Sequence, residues 1–497
     1  MDDRPATDAL GMPAEQMREL GHWVVDRVVD HFATLAERPA IRTGEPASLL
    51  ERLGGPLPEE PGDARAALEA LTDVAFEHMQ HGDHPRYFAR VPGPSSFSGV
   101  LGDWLSTGFN ALASSWGGGA GPATVELVAI DWLAALLGLP RGWEGLLVSG
   151  GSLANMTALA VARAQRGAGV AYLCDQTHAS IRRALLALGW SAEQIRTLGS
   201  DERLRMDARS LADAVAADRR RGQRPAVAIA TAGTTNTGAV DELEGIASVC
   251  AAEGLWLHVD GAYGAAAAAC DAGRRALAGL ELADSLVVDP HKWLFAPYDA
   301  GLVLVRHAGA LERTFAMRPE YLADVQLEPG TVDFGNRGLE LSRRARAVKL
   351  WLTLRMHGAR ALRDAVARGI ELALIAQGML ERDPPWRVVT PAQLGIVTFT
   401  RDGWDAGEHA AAVARLTGDG YAALTSTSLR GRPALRLCTI NPRTTEADLE
   451  GTLRRLAELG PRRRTAQTGV PARPAQAPAP PADGRASDGP EAASDSR

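Results

Sequence analysis

Lysine is almost absent from this chain of 497 residues: among 53 basic side chains only Lys292 and Lys349 are not arginine. Arginine serves wherever positive charge alone is wanted, but its guanidinium stays protonated and forms no imine, whereas an amine can lose its proton and attack an aldehyde. A lysine retained in such a chain needs a reason. An arginine-biased coding sequence with accidental survivors is the plain alternative, and Lys349, in the helical run Arg343-Arg344-Ala345-Arg346-Ala347-Val348-Lys349, fits it. Cysteine is also scarce. Cys174, Cys250, Cys270 and Cys438 lie far apart, which excludes the paired spacing of a zinc site or redox motif and predicts buried free thiols and no metal. Long apolar runs are missing: the stretch from Leu127 to Leu139 is interrupted by Asp131, and Met1-Asp2-Asp3-Arg4-Pro5 is acidic rather than basic then apolar. No membrane association and a cytoplasmic location are therefore expected. There is no surplus of positive charge either, and a net charge of −7 gives no electrostatic reason for nucleic acid binding. No internal repeat is present.

What is there is ordinary globular composition, 46% hydrophobic and 23% charged, in a length sufficient for two or three domains. Leu20, Val24, Val28, Phe32 and Leu35 recur at helical spacing between Met17 and Leu35, and a second helical run follows from Ala64 to Met79. From Leu146 onward short β-rich runs alternate with amphipathic helical ones: Leu146–Val148, Val170–Cys174, Ala226–Ala230, Trp256–Val259, Ser285–Val288 and Leu302–Val305. Such alternation predicts an α/β fold with a mostly parallel sheet covered by helices on both faces. A helical zone from Leu341 to Glu381 then leads to strand-like Ile396–Phe399 and Leu435–Cys438, which suggest a smaller α+β domain. The Pro-, Ala-, Ser- and Gly-rich tail after Pro461 lacks apolar periodicity and is predicted to be disordered.

Lys292 follows a strand-like run and a proline in Val287-Val288-Asp289-Pro290-His291-Lys292-Trp293. That places its amine at the C-terminal edge of the sheet, where open α/β sheets bind ligands. Trp256-Leu257-His258-Val259-Asp260 is an apolar strand ending in a carboxylate at the same edge. In a pyridoxal phosphate site such a carboxylate keeps the pyridine nitrogen protonated; otherwise Asp260 only caps the next helix. Ser149-Gly150-Gly151-Ser152 reads as a glycine turn opening a helix, suited to a phosphate through free amides, the helix dipole and the Ser152 hydroxyl, or equally as a plain βα turn. It is not a Walker loop, since no Gly-Lys-Ser/Thr follows. Trp116-Gly117-Gly118-Gly119-Ala120-Gly121-Pro122 offers glycines but follows no strand, so it is read as a flexible loop with a helix opening at Pro122. His178 stands between a strand and the helix starting near Ser180, and Thr231-Ala232-Gly233-Thr234-Thr235 ends another strand in small hydroxyl residues.

Arriving in chain order at successive strand ends, these elements resemble the group II pyridoxal-phosphate-dependent amino acid decarboxylases, and among them the aromatic L-amino acid decarboxylases. The resemblance runs from Met17 to Leu459 and includes His84-Pro85-Arg86-Tyr87-Phe88, Thr124-Val125-Glu126-Leu127, Asp131-Trp132-Leu133 and Ser342-Arg343-Arg344-Ala345-Arg346. Its most specific part is Val259-Asp260-Gly261-Ala262-Tyr263 followed by Asp289-Pro290-His291-Lys292-Trp293. The resemblance implies the type I, aspartate aminotransferase-like fold, with a helical dimerisation segment over 1–90, a large cofactor-binding domain over 91–365, a small α+β domain over 366–460 and a disordered tail over 461–497. It further implies that Lys292 carries pyridoxal 5'-phosphate as a Schiff base, Asp260 binds the ring nitrogen, His178 stacks on one ring face and Ala262 lies on the other. Gly151 and Ser152 would hold the phosphate, with Asp289 and His291 nearby and Thr235 lining the site. The family forms a homodimer with a shared active site that decarboxylates an amino acid substrate to the amine.

The chain departs from the family at two places. Counting back from Arg343-Arg344 sets Phe334 where decarboxylases carry the loop tyrosine that reprotonates the substrate carbon, and relatives with that substitution resemble aldehyde synthases, which consume dioxygen. Arg90-Val91-Pro92-Gly93 and Leu112-Ala113-Ser114 match positions that wall an aromatic pocket, yet Arg90, Gly93 and Ser114 replace bulkier or aromatic residues. An aromatic substrate decarboxylated to its amine is the first expectation and an aldehyde synthase the alternative. A catalytically silent homologue is the third reading, opposed by the retained Lys292, Asp260 and His178.

Overall fold

Seven strands form the central sheet of the computed structural model, which describes residues 10–317 and 330–459. In chain order they are β1 (Glu144–Val148), β2 (Val170–Cys174), β3 (Ile195–Leu198), β4 (Pro225–Thr231), β5 (Trp256–Asp260), β6 (Ser285–Val288) and β7 (Gly301–Val305). The spatial order is β1-β7-β6-β5-β4-β2-β3. Strands β3, β2, β4, β5 and β6 pair in parallel, while β7 runs antiparallel to both β6 and β1. Two reversals restore direction, so the C-terminal ends of β1, β2, β4, β5 and β6 all emerge on one edge. The strands β2, β4, β5, β6 and β7 are buried at every position. This is why they read as unbroken apolar runs instead of alternating ones. Edge strand β3 is half-buried and polar in part (Ile-Arg-Thr-Leu), and for that reason its sequence gives no apolar run.

The smaller sheet is antiparallel, with β8 (Trp386–Gln393), β9 (Ile396–Arg401), β10 (Thr425–Leu429) and β11 (Arg432–Cys438) in the order β10-β11-β9-β8. It has its own core around Phe88, Leu372, Trp386, Phe399, Leu435 and Leu449. The helix Ala347–Arg382 is broken at Gly358, whose φ is 74°, and contributes Leu350 and Val366 to the large core but Leu372 and Leu380 to the small one. Near the N-terminus the helix Ala14–Thr34 buries none of its residues within this chain.

One expectation changes. The glycine run is no loop: a helix begins at Trp116, capped by the Ser115 hydroxyl accepting from Gly118 N, departs from helical geometry at Gly119 and continues to Leu136. By length and composition this helix could cross a membrane. Within the fold, however, it buries Ile130 and Leu133 and carries Glu126 into an ion pair with Arg343, 2.6 Å apart and without solvent contact. The four cysteines are free and buried, as expected. The predicted disordered tail lies outside the described residues.

Candidate active site

A cavity of 330 Å³ opens where the five aligned strand ends converge. Its wall brings together Gly151, Ser152, His178, Thr235, Asp260, Ala262, Asp289, His291 and Lys292, all singled out from the sequence. The turn after β1 leads into the helix Gly151–Arg166, whose N-terminus no side chain caps, so its first amides face the cavity. Such an end attracts anions. Gly151 has no room for a side chain: a Cβ there would stand 2.7 Å from Asp289 Oδ2.

After β6 a short helical turn, Pro290–Trp293, delivers Lys292. Its Nζ lies 2.7 Å from Asp289 Oδ2. Burial works against the ammonium, but the carboxylates of Asp289 and Asp260 outweigh it and the amine pKa is raised. Lys292 is thus an ammonium paired with the Asp289 carboxylate. His291 is 3.6 Å from the same Asp289 oxygen, and burial lowers its pKa despite that neighbour.

Asp260 is held at the end of β5 by two bonds: Asn155 Nδ2 donates to Oδ2 at 3.1 Å and Ala262 N donates to Oδ1 at 3.1 Å. Behind it Asn155 Oδ1 meets His258 Nε2 at 2.9 Å, while His258 Nδ1 and Trp256 Nε1 share Ser285 Oγ at 2.9 and 2.8 Å. Burial pushes the His258 pKa down to about 4, so this imidazole is neutral and donates from one nitrogen only. Its network fixes the carboxylate's orientation without adding charge. His178 caps the helix Ala179–Ala187, its Nδ1 2.8 Å from Ser180 Oγ, and lines the cavity as well.

Two buried oxygens of the cavity wall, Asp289 Oδ1 and Thr231 Oγ1, have no hydrogen-bond partner among the described residues. An unmet buried polar group costs on the order of 1–3 kcal/mol and calls for a ligand or water to complete it. An uncapped helix N-terminus, a fixed carboxylate and an amine around one cavity are the donor set that pyridoxal phosphate requires. The residues fit that cofactor.

A second cavity of 470 Å³ is walled by Arg90, Val91, Pro92 and Gly93, together with Met79, Gln80, Tyr87, Ser95 and Tyr298. Arg90 adopts φ 50°, a left-handed conformation unfavourable to a side chain. It is held there on both sides, its N–H donating to Thr425 Oγ1 at 2.8 Å and its carbonyl accepting from Arg436 Nη1 at 2.7 Å. Leu112 and Ser114 line neither of these cavities. Ser114 Oγ instead accepts from Arg343 N at 2.8 Å, and Leu112 bridges to Arg344.

Phe334, expected at a catalytic loop position, does not line this chain's cavity. It sits in a helical turn, Phe334–Asn336, its ring fully buried beneath the Arg343 guanidinium at 5.0 Å. Arg343 in turn ties Glu126 to the Leu147 carbonyl of β1. Phe334→Tyr should therefore leave the products unchanged and lower the melting temperature, because an added buried hydroxyl without a partner costs about 1–3 kcal/mol. Product analysis in air alongside a thermal melt checks this; a shift from aldehyde to amine would put Phe334 at the site.

Asn155 and Arg436 are site-building residues not singled out from the sequence. Asn155 had a signal, standing one helical turn after Gly151 and so on the same face. His258, two residues before Asp260 on a strand, shares its face for the same kind of reason. Arg436, remote in the chain from every motif, had none beyond a cation inside an apolar strand; it is buried with Nε and Nη2 unpartnered.

Residues 46–401 match the family model of the pyridoxal-dependent decarboxylase conserved domain. The chain is 43% identical to the aromatic-L-amino-acid decarboxylase of Bacillus atrophaeus over 459 residues, covering 89% of this chain and 95% of that one. It is 31% identical to the phenylacetaldehyde synthase of Arabidopsis thaliana, covering 78% of this chain and 83% of that one. Among solved structures, Oryza sativa TDC with PLP and tryptamine superposes with a TM-score of 0.86 at 25% identity, covering 91% of this chain and 98% of that one.

Proposed function

The chain belongs to the pyridoxal-dependent decarboxylase family, and from that premise we propose that it converts an aromatic L-amino acid to the amine and carbon dioxide. It is a pyridoxal-phosphate-dependent amino acid decarboxylase. The observation that carries the reading is the Lys292 amine at 2.7 Å from Asp289, in one cavity with Asp260. The aromatic class is supported by the Bacillus relative and by the second cavity behind Arg90–Gly93.

Pyridoxal phosphate, when bound, supplies the electron-accepting ring that takes up the pair left by carbon dioxide. Lys292 would hold the cofactor through its aldehyde once Nζ is neutral, and Asp289 Oδ2, 2.7 Å from Nζ, fixes the position of that amine. Asp260 would keep the pyridine nitrogen protonated, its carboxylate oriented by Asn155. Gly151 and Ser152 would hold the phosphate, and His178 and Ala262, which line the same cavity, would flank the ring. Thr235 and His291 complete the wall.

We assign the N-terminal segment to dimerisation: Val25 and Val29 on the helix Ala14–Thr34 are exposed, as expected of a face that a second copy covers. The shared site of a homodimer would also give Leu112 and Ser114 a place beside the partner's substrate. A soluble, cytoplasmic enzyme is in keeping with these assignments. The oxygen-dependent alternative rested on Phe334 and loses that support.

Incubation of the purified protein with a panel of L-amino acids, following amine, carbon dioxide, aldehyde and peroxide, tests the reading. Amine and carbon dioxide in equal amounts from an aromatic substrate are expected. Turnover confined to acidic or aliphatic substrates would overturn the aromatic class, and stoichiometric peroxide would overturn the simple decarboxylation.

A further inference from the structure

Tyr298 stands between the two cavities and belongs to none of the motifs that define the cofactor site. Its ring packs on His291 of the cofactor cavity, centroids 4.6 Å apart and tilted by 41°. Its other side lines the 470 Å³ cavity with Met79, Gln80, Tyr87, Gly93 and Ser95. The phenol fits only because position 93 is glycine: a Cβ there would come within 2.4 Å of the Tyr298 hydroxyl oxygen. The missing bulk at Gly93 is thus refilled by a side chain from a different part of the chain, and the refill ends in a hydroxyl.

The segment bearing Tyr298 is firmly anchored. Lys349, the second lysine, is fully buried and donates to the carbonyls of Pro297 and Asp299 at 3.0 and 3.1 Å, pairing also with Asp103 at 2.7 Å. Arg346 holds the Asp299 side chain at 3.2 Å. The compact ammonium satisfies three acceptors, two of which straddle Tyr298, a task for which the planar fork of arginine is the wrong shape. Lys349 is therefore no accidental survivor.

Most polar groups of this cavity are committed elsewhere. Tyr87 donates to Gln80 Oε1 at 2.7 Å, and Ser95 Oγ donates to Asp83 at 3.0 Å. The Tyr298 hydroxyl makes no hydrogen bond among the described residues, although it lies on the cavity wall. We infer that Tyr298 is a specificity-determining residue whose free hydroxyl hydrogen-bonds a phenolic group on the substrate ring, so that the enzyme prefers hydroxylated aromatic amino acids to L-phenylalanine. The inference rests on the aromatic decarboxylase reading and adds the substituent that the cavity recognises. A hydroxyl can donate or accept, so it serves a phenol in either orientation.

The test compares wild-type holoenzyme with Tyr298→Phe, a half-exposed position where loss of one oxygen leaves the packing intact, using L-tyrosine and L-phenylalanine as substrates. The wild type should favour L-tyrosine, and the variant should lose about fivefold to tenfold of that kcat/KM preference. The loss should fall on KM for L-tyrosine, with kcat for L-phenylalanine unchanged. A merely structural role would lower both substrates together, and that result, or an unchanged ratio, overturns the inference. Wild-type enzyme that turns over no aromatic amino acid overturns the parent reading and this one with it, whereas aromatic turnover with an unaltered ratio overturns this one alone.

Discussion

Lys292→Arg should fold, bind cofactor weakly and reversibly, and turn over substrate slower than wild type by roughly four orders of magnitude or more. The guanidinium can still pair with Asp289, so the buried carboxylate keeps a counter-charge and the fold its stability; what disappears is an amine able to shed its proton. Borohydride reduction supplies the independent readout. In the wild type it should fix the cofactor on the peptide containing Lys292, and in the variant on none. Lys349 cannot substitute, because its ammonium is buried against Asp103 and two carbonyls. Cofactor found on Lys349, or normal turnover in the variant, would refute the assignment. A silent homologue would bind cofactor without turning over the amino acid panel.

Asp260→Ala is expected to lower kcat by about 10²- to 10³-fold at saturating cofactor, since a carboxylate aimed at a developing charge is worth most in the transition state. The cost in stability should be smaller. Removal leaves Asn155 Nδ2 with only Ser180 Oγ at 3.5 Å and Ala262 N without its acceptor, a penalty on the order of 1–3 kcal/mol. Steady-state rates measured across a cofactor titration, with a thermal melt of the same samples, separate the two effects. If turnover recovers fully when cofactor is in excess, Asp260 serves only to brace the turn at Ala262, and the electron-sink role assigned to it fails.

The central strands and the motifs at their ends were legible because their signals are local. Buried parallel strands read as apolar runs, and a glycine turn, a terminal aspartate and a proline-bounded lysine mark where such runs stop. Six of the seven central strands follow that rule, and β3 escapes it because an edge strand carries polar residues. In the small sheet β10 reads Thr-Ser-Thr-Ser-Leu, half-exposed and without an apolar pattern, so only β9 and β11 were anticipated. The glycine run at Trp116 was misread because a helix cap and a local break outweigh the low helical propensity of glycine.

By itself, then, the sequence determined the α/β architecture, the order in which Gly151, His178, Asp260 and Lys292 reach one sheet edge, and the cofactor they suit. Tertiary structure decided the rest. Phe334 counts back to a catalytic position along the chain, yet packing buries it under Arg343. Gly93 and Tyr298, far apart in sequence, share one cavity wall, and Lys349 proves to be the anchor of that wall. The physical reason is the range of the forces involved. Backbone periodicity is written within a few neighbouring residues, whereas the shape of a cavity depends on which side chains fill space left by others, and this is fixed only once distant segments have packed.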